Sequence, residues 1–209
     1  SSTMFEHILK TSAKLIAQLR AYEMNKETPL FIDEHSAKAA GKQGKVIGER
    51  FLLLMPEIQN MVAARTASAD KVIRRLAADM KQLVILGAGL DFRAVRLYDS
   101  LKNCRVFELD LPEMIIEKEK IIQEWSIKAG NKITRLPCNL ITDNLTEKLI
   151  QNGYNLAEPA LFIYEGCSMY FSAEENAKLL EEISSLLEYS ADGYLWMDTV
   201  SEVVVNSEN

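Results

Sequence analysis

The sequence predicts an α/β fold: a doubly wound, mostly parallel, Rossmann-like sheet preceded by an N-terminal helical cap. Three observations predict it. From about residue 81 onward, short apolar runs alternate with amphipathic stretches, the pattern of strands joined by crossover helices. The first run, Leu83–Leu86, opens directly into Gly87-Ala88-Gly89, the kind of strand-to-helix turn found at ligand crevices in such sheets. Before about residue 80 the spacing is helical and no strands are evident. The 209 residues suffice for one well-filled core and are short for two. One domain over 1–209 is therefore expected, with a cap over 1–80 and an α/β core over 81–209.

In chain order, Ile8, Leu9, Leu15, Ile16 and Leu19 recur at helical spacing, which predicts a helix from Phe5 to Tyr22. Thr28-Pro29 marks a turn, followed by the apolar patch Leu30–Ile32. Gly41, Gly44 and Gly48 read as a loop region. A second helical region begins near Arg50, breaks at Pro56 and resumes over Ile58–Val62, and a third runs from Asp70 to Met80. The core then reads as strand Leu83–Leu86, helix Arg93–Ser100, strand Arg105–Leu109 and a helix from Pro112 to about Lys128. Proline suits a first helical position because its missing N–H would be unpaired there. Next come strand Lys132–Leu136, helix Thr142–Gln151 and strand Ala160–Tyr164. Ser172 with Glu175 forms a capping box for a helix whose buried stripe is Leu179, Leu180, Ile183, Leu186 and Leu187. Gly193–Met197 is the fifth strand.

Composition narrows the function. With 48% apolar and 26% charged residues the chain resembles an ordinary globular protein. A net charge of −6 argues against nucleic acid, whose phosphates require clustered Lys and Arg, and Arg74-Arg75 reads as part of a solvated helix face. Cys104, Cys138 and Cys167 show no CxxC spacing, which points to reduced thiols and a cytoplasmic setting rather than a disulfide framework or zinc. The two histidines, His7 and His35, lie far from the glycine turn, so no metal site is expected. No apolar run approaches the ~20 residues that span a bilayer, and no secretory apolar region is seen at the N-terminus. A membrane partner is not expected.

The glycine turn is the candidate site. Gly87 and Gly89 remove side chains where backbone N–H groups approach a ligand. About twenty residues on, the second strand ends in Asp110, placed to accept hydrogen bonds from both hydroxyls of an adenosine ribose. Helix capping is the competing role for that carboxylate. Loop and acid together select NAD or S-adenosylmethionine. The third glycine of the dinucleotide fingerprint is replaced by Phe92, which would obstruct the helix–strand packing beneath a pyrophosphate. That favours the methyl donor, with an NAD-dependent oxidoreductase and a non-catalytic binding protein of the same fold as alternatives.

Three ordered blocks, "LVILGAGLDFRAVRL", "VFELDLPEMIIEKEKII" and "LFIYEGCSMYFSAEE", with "VAART" and "PLFIDEHSA" upstream, resemble the leucine carboxyl methyltransferase family. The resemblance implies an S-adenosylmethionine-dependent O-methyltransferase whose acceptor is a small-molecule or protein C-terminal carboxylate, or a hydroxyl. By that likeness Arg65 would pair with the methionine carboxylate, as a bidentate guanidinium can. Gly87 would match the family's loop glycine at the donor, beside Gly89 of the turn, Asp110 would hold the ribose, and Glu165 would stand at the fourth strand's end to offset the sulfonium. Asn139-Leu140 stand where the family usually has Asp-Leu at the adenine; the Asn carbonyl can accept from the adenine amino group, or its amide can donate to a ring nitrogen. Phe92 replaces the family's usual threonine and would reshape the pocket wall. No catalytic residue is assigned; Tyr164, Tyr170 and Glu165 lie near the expected pocket. Family members usually add two strands after the fifth, whereas this sequence ends at Asn209.

Overall fold

The computed structural model describes residues 2–130 and 132–198; the stretch 199–209 of the expected core lies outside them. The described residues divide into two compact units: 2–71, 89–98 and 113–130 form the first, and 72–88, 99–112 and 132–198 the second.

The second unit contains the sheet. Its strands are β1 Gln82–Leu86, β2 Arg105–Asp110, β3 Ile133–Pro137, β4 Ala160–Tyr164 and β5 Gly193–Met197. They lie in the order β3-β2-β1-β4-β5 with every pairing parallel. Successive strands thus run outward from β1 in one direction and then, from β4, in the other, which makes the carboxyl ends of β1 and β4 the switch point. β1 and β4 are buried along their whole lengths, as their unbroken apolar runs require in a sheet covered on both faces. Phe107, Tyr154 and Phe162 meet edge-on with centroids 6.1 and 6.0 Å apart. They sit in a core that also holds Leu136, Leu145, Leu179 and Ile183. Helices Leu145–Gln151 and Ala173–Glu188 belong to this unit, and the Ser172–Glu175 capping box forms as expected.

The first unit is helical. In it α1 Ser2–Ala21 and α2 Ser36–Leu54 precede the first residues of α3, Ile58–Leu76. The expected loop over Gly41–Gly48 is instead part of α2, which bends at Gly41 (φ 61°, ψ −164°) and is helical on both sides of it. Its later glycines serve close packing. A Cβ at Gly44 would lie 2.7 Å from the Lys14 backbone oxygen, and one at Gly48 would lie 2.7 Å from Gln18 Cγ, so α1 occupies the space a side chain would need. The third helical region begins at Ile58 rather than Asp70, and Asp70 lies within it. The expected Arg93–Ser100 helix is shorter: an α-turn over Arg93–Arg96 (α4) and a 3₁₀ turn over Tyr98–Ser100. α5 covers Pro112–Glu124.

Phe92 belongs to this unit's core. It is fully buried with Ala17, Leu90, Met114 and Ile121, its ring is 5.5 Å from that of His35, and the Lys118 ammonium lies 5.1 Å above it. The expected pocket-wall role gives way to core packing. Around it lies a buried ionic cluster. Arg96 grips Asp70 through both terminal nitrogens at 2.8 and 3.2 Å, and Arg93 Nε is 3.0 Å from Asp91. The Asp33 carboxylate receives the Ser36 amide and hydroxyl. Burial pushes the Asp91 carboxyl upward, but the surrounding cations, Arg93 foremost, outweigh it and hold the group well below the usual carboxylate range.

Overpacking a helix contact of this kind costs about 1–3 kcal/mol, more than the roughly 1 kcal/mol a helix gains from alanine over glycine. Gly44→Ala is therefore expected to lower unfolding stability, read as an earlier urea midpoint at unchanged slope; an unchanged or later midpoint contradicts the packing role.

Candidate functional site

The site residues of the second unit lie just past the strand ends. Register pairs Leu86 with Leu109 and with Tyr164, Tyr164 with Met197, and Asp110 with Pro137. One step beyond Leu86, the order across the sheet is Pro137, Asp110, Gly87, Glu165 and Asp198. Three of these five are carboxylates.

Gly87 (φ 65°) and Gly89 (φ 49°) adopt the left-handed conformation that favours glycine. At Gly87 there is a second reason. A Cβ there would stand 2.7 Å from Cys167 Sγ and 3.0 Å from its Cβ. The turn after β4 therefore packs into the space that this missing side chain leaves. The amides of Gly87 and Ala88 both donate to Leu109 O, at 2.8 and 3.1 Å. The Gly87 amide is thus committed to the neighbouring strand.

Asp110 ends β2 half-buried, and its Oδ1 accepts the Leu111 amide at 2.7 Å. Its backbone oxygen accepts Cys138 N–H at 2.8 Å, fastening the end of β3. Asn139 Oδ1 accepts two backbone amides, Ile141 at 3.0 Å and Thr142 at 3.2 Å. Two N–H donors identify that atom as oxygen and occupy both its lone pairs. Of the two expected roles for Asn139, acceptor from the adenine amino group and donor to a ring nitrogen, the geometry leaves the donor. Leu140 buries its side chain in the core beside Leu145 and Leu149. Glu165 is half-buried after β4. Arg65 lies half-buried within α3, and it and Gly89 belong to the first unit.

Tyr164 is fully buried and donates to Asn176 Oδ1 at 2.6 Å. Burial drives its phenol far upward, with Cys167 and Asp198 adding to the shift, so it is a structural fastener rather than a base. Burial likewise pushes the Cys167 thiol up, and Asp110 and Asp198 both raise it further. Cys138 is pushed up to about 11, mainly by burial. No group of three or more metal-ligating side chains occurs among the described residues.

The sequence reading missed Asp198. Its signal was present: strands β2, β4 and β5 run into "LD", "YE" and "MD", so the acid is repeated at three strand ends.

The family profile described as leucine carboxyl methyltransferase matches residues 13–184. The chain belongs to that family. Proteins of Mycobacterium bovis and Mycobacterium tuberculosis provisionally named S-adenosyl-L-methionine-dependent methyltransferases are each 33% identical over 191 residues, which cover 82% of this chain and 56% of theirs. A provisionally named methyltransferase of this kind from Frankia alni is 31% identical over 181 residues, covering 82% of this chain and 62% of its own. The chain thus spans about six-tenths of the length of these relatives. Among solved structures, a DUF574-family protein from Streptomyces avermitilis superposes with a TM-score of 0.62 at 15% identity, covering 89% of this chain and 67% of that one. A provisionally named methyltransferase from Thermobifida fusca gives 0.59 at 14% identity, with 79% and 65% covered. Likeness at that identity is one of fold. No described helix of this family member is long and apolar enough to cross a membrane.

Gly87→Ala combines a left-handed backbone, which costs roughly 1–2 kcal/mol with a side chain, with the overlap on Cys167. A loss of at least about 2 kcal/mol is expected by chemical denaturation, partly recovered when Cys167→Ala is added. A fully stable Gly87→Ala protein contradicts the packing.

Proposed function

We propose that this family member is an S-adenosylmethionine-dependent O-methyltransferase acting on a carboxylate or hydroxyl acceptor in the cytoplasm. The observation that carries this reading is the pair of carboxylates, Asp110 and Glu165, at the strand ends on either side of a glycine turn whose first two amides are already committed. A dinucleotide would bring an anionic pyrophosphate to this edge, where it needs free N–H donors and meets like charge instead. An adenosyl sulfonium brings a ribose and a positive charge, which carboxylates suit. The family membership and the names of the Mycobacterium and Frankia relatives support the same reading.

In this account Asp110 accepts from the ribose hydroxyls, as an ionised acceptor with capacity beyond its Leu111 contact. Asn139 presents its amide to the adenine edge. Glu165 offsets the positive charge of the donor. The donor, when bound, supplies an already activated methyl group for in-line displacement by an acceptor oxygen. The protein's contribution is then mainly alignment. A carboxylate acceptor needs no base and a hydroxyl does; Tyr164, held protonated, is not that base.

Calorimetric titration tests this. S-adenosylhomocysteine is expected to bind and NAD not to, and Asp110→Ala should weaken the former by about tenfold or more, because hydrogen bonds to a charged group contribute about 1.5–3 kcal/mol. Tight NAD binding, or a variant that binds like the wild type, contradicts the reading. Asn139→Asp keeps one oxygen for Ile141 and Thr142 but replaces the amide donor with a second acceptor. It should bind S-adenosylhomocysteine several-fold more weakly, and unchanged or tighter binding would remove the assignment of the amide to the adenine.

A further inference from the structure

The acid at the end of β5 is assigned no role by the family likeness. Asp198 is buried, 2% exposed, and its Oδ2 accepts the Gly166 amide at 2.5 Å. Gly166 has φ 66°, so the chain reverses sharply there, between Glu165 and Cys167. A buried carboxylate is costly unless something holds it, and this one is directed at the backbone of a turn. The far end of the same segment is fastened separately. Asn176 donates to the carbonyls of Ser168, Phe171 and Ser172 while accepting from Tyr164. Residues 165–172 are therefore gripped at one end by Asp198 and at the other by Asn176. Between the grips, Cys167 packs into the space above Gly87.

We propose that Asp198 is a positioning residue for the donor crevice: by holding the Gly166 amide it sets where Glu165 leaves β4 and seats Cys167 against the Gly87 turn. This rests on the reading of the strand ends as a donor site. Asp198 acts through the turn. The role needs an acceptor oxygen at that place and does not need the charge, so asparagine can supply it and alanine cannot.

Two readouts test this on the full chain: amide hydrogen exchange at Gly166 and calorimetric binding of S-adenosylhomocysteine. In the wild type the Gly166 amide should exchange slowly. Asp198→Ala should speed that exchange and weaken binding, each by about tenfold for the loss of one hydrogen bond to a charged group, while amides of Val84–Leu86 stay protected. Asp198→Asn should restore both to within about threefold, since a hydrogen bond to a neutral acceptor is the weaker kind. Should the alanine protein not fold, Asp198→Ser, too short to reach the amide, takes its place. Rapid exchange at Gly166 in the wild type overturns the proposal. So does an alanine or serine variant in which exchange and binding do not change together, or an asparagine variant that rescues neither. A wild type that fails to bind S-adenosylhomocysteine instead overturns the proposed function, and the exchange arm, which needs no ligand, judges the clamp separately.

Discussion

The absence of a side chain at Gly87 is the constraint on which the carboxyl edge of the sheet depends. With no Cβ there, Cys167 enters the space and the turn after β4 closes onto the turn after β1. The same left-handed turn directs the amides of Gly87 and Ala88 to Leu109 O, tying it to β2. Asp110 continues the chain of attachments through its own carbonyl to Cys138 at the end of β3. Four strand ends are thus coupled by short polar and packing contacts, and a fifth joins through Asp198. Closely packed interiors transmit small displacements, so a side chain at Gly87 would press on the turn after β4 as well as its own.

The charge pattern follows from that geometry. Backbone N–H groups that satisfy neighbouring strands are not available to anions, and the side chains that remain at the edge are acidic. An edge of this composition suits a cation carrying hydroxyl groups. The buried ions of the first unit have a different logic. Arg93 and Arg96 lie among Asp33, Asp70 and Asp91, where mutual pairing offsets desolvation. Phe92 fills the apolar space beside them. The "LDFR" segment is in this way a structural hub in its own unit, although it follows directly on the glycine turn.

Much of the sheet was legible because its signals are local. Ala160–Tyr164 and Gly193–Met197 are unbroken apolar runs with clear boundaries, and Ser172 with Glu175 states its cap within four residues. The glycines of α2 misled because a glycine reports missing volume without saying what fills it; Gly44 and Gly48 face α1, a partner some thirty residues away in sequence. Phe92 misled for the same reason, since its burial depends on residues from α1, α2 and α5. At the site, Gly87 and Asp110 were legible from their spacing. The loss of the Gly87 amide to Leu109 and the capture of Asn139 Oδ1 by its own loop were not, because both depend on backbone direction rather than residue type.

The central claim is that an adenosyl sulfonium donor is held at this acidic strand edge. A crystal structure of the protein with S-adenosylhomocysteine tests it most directly. The account predicts the ribose hydroxyls on Asp110, the sulfur beside the Gly87–Glu165 edge and the adenine against Asn139. A ligand seated elsewhere, or a ribose with no contact to Asp110, would contradict it.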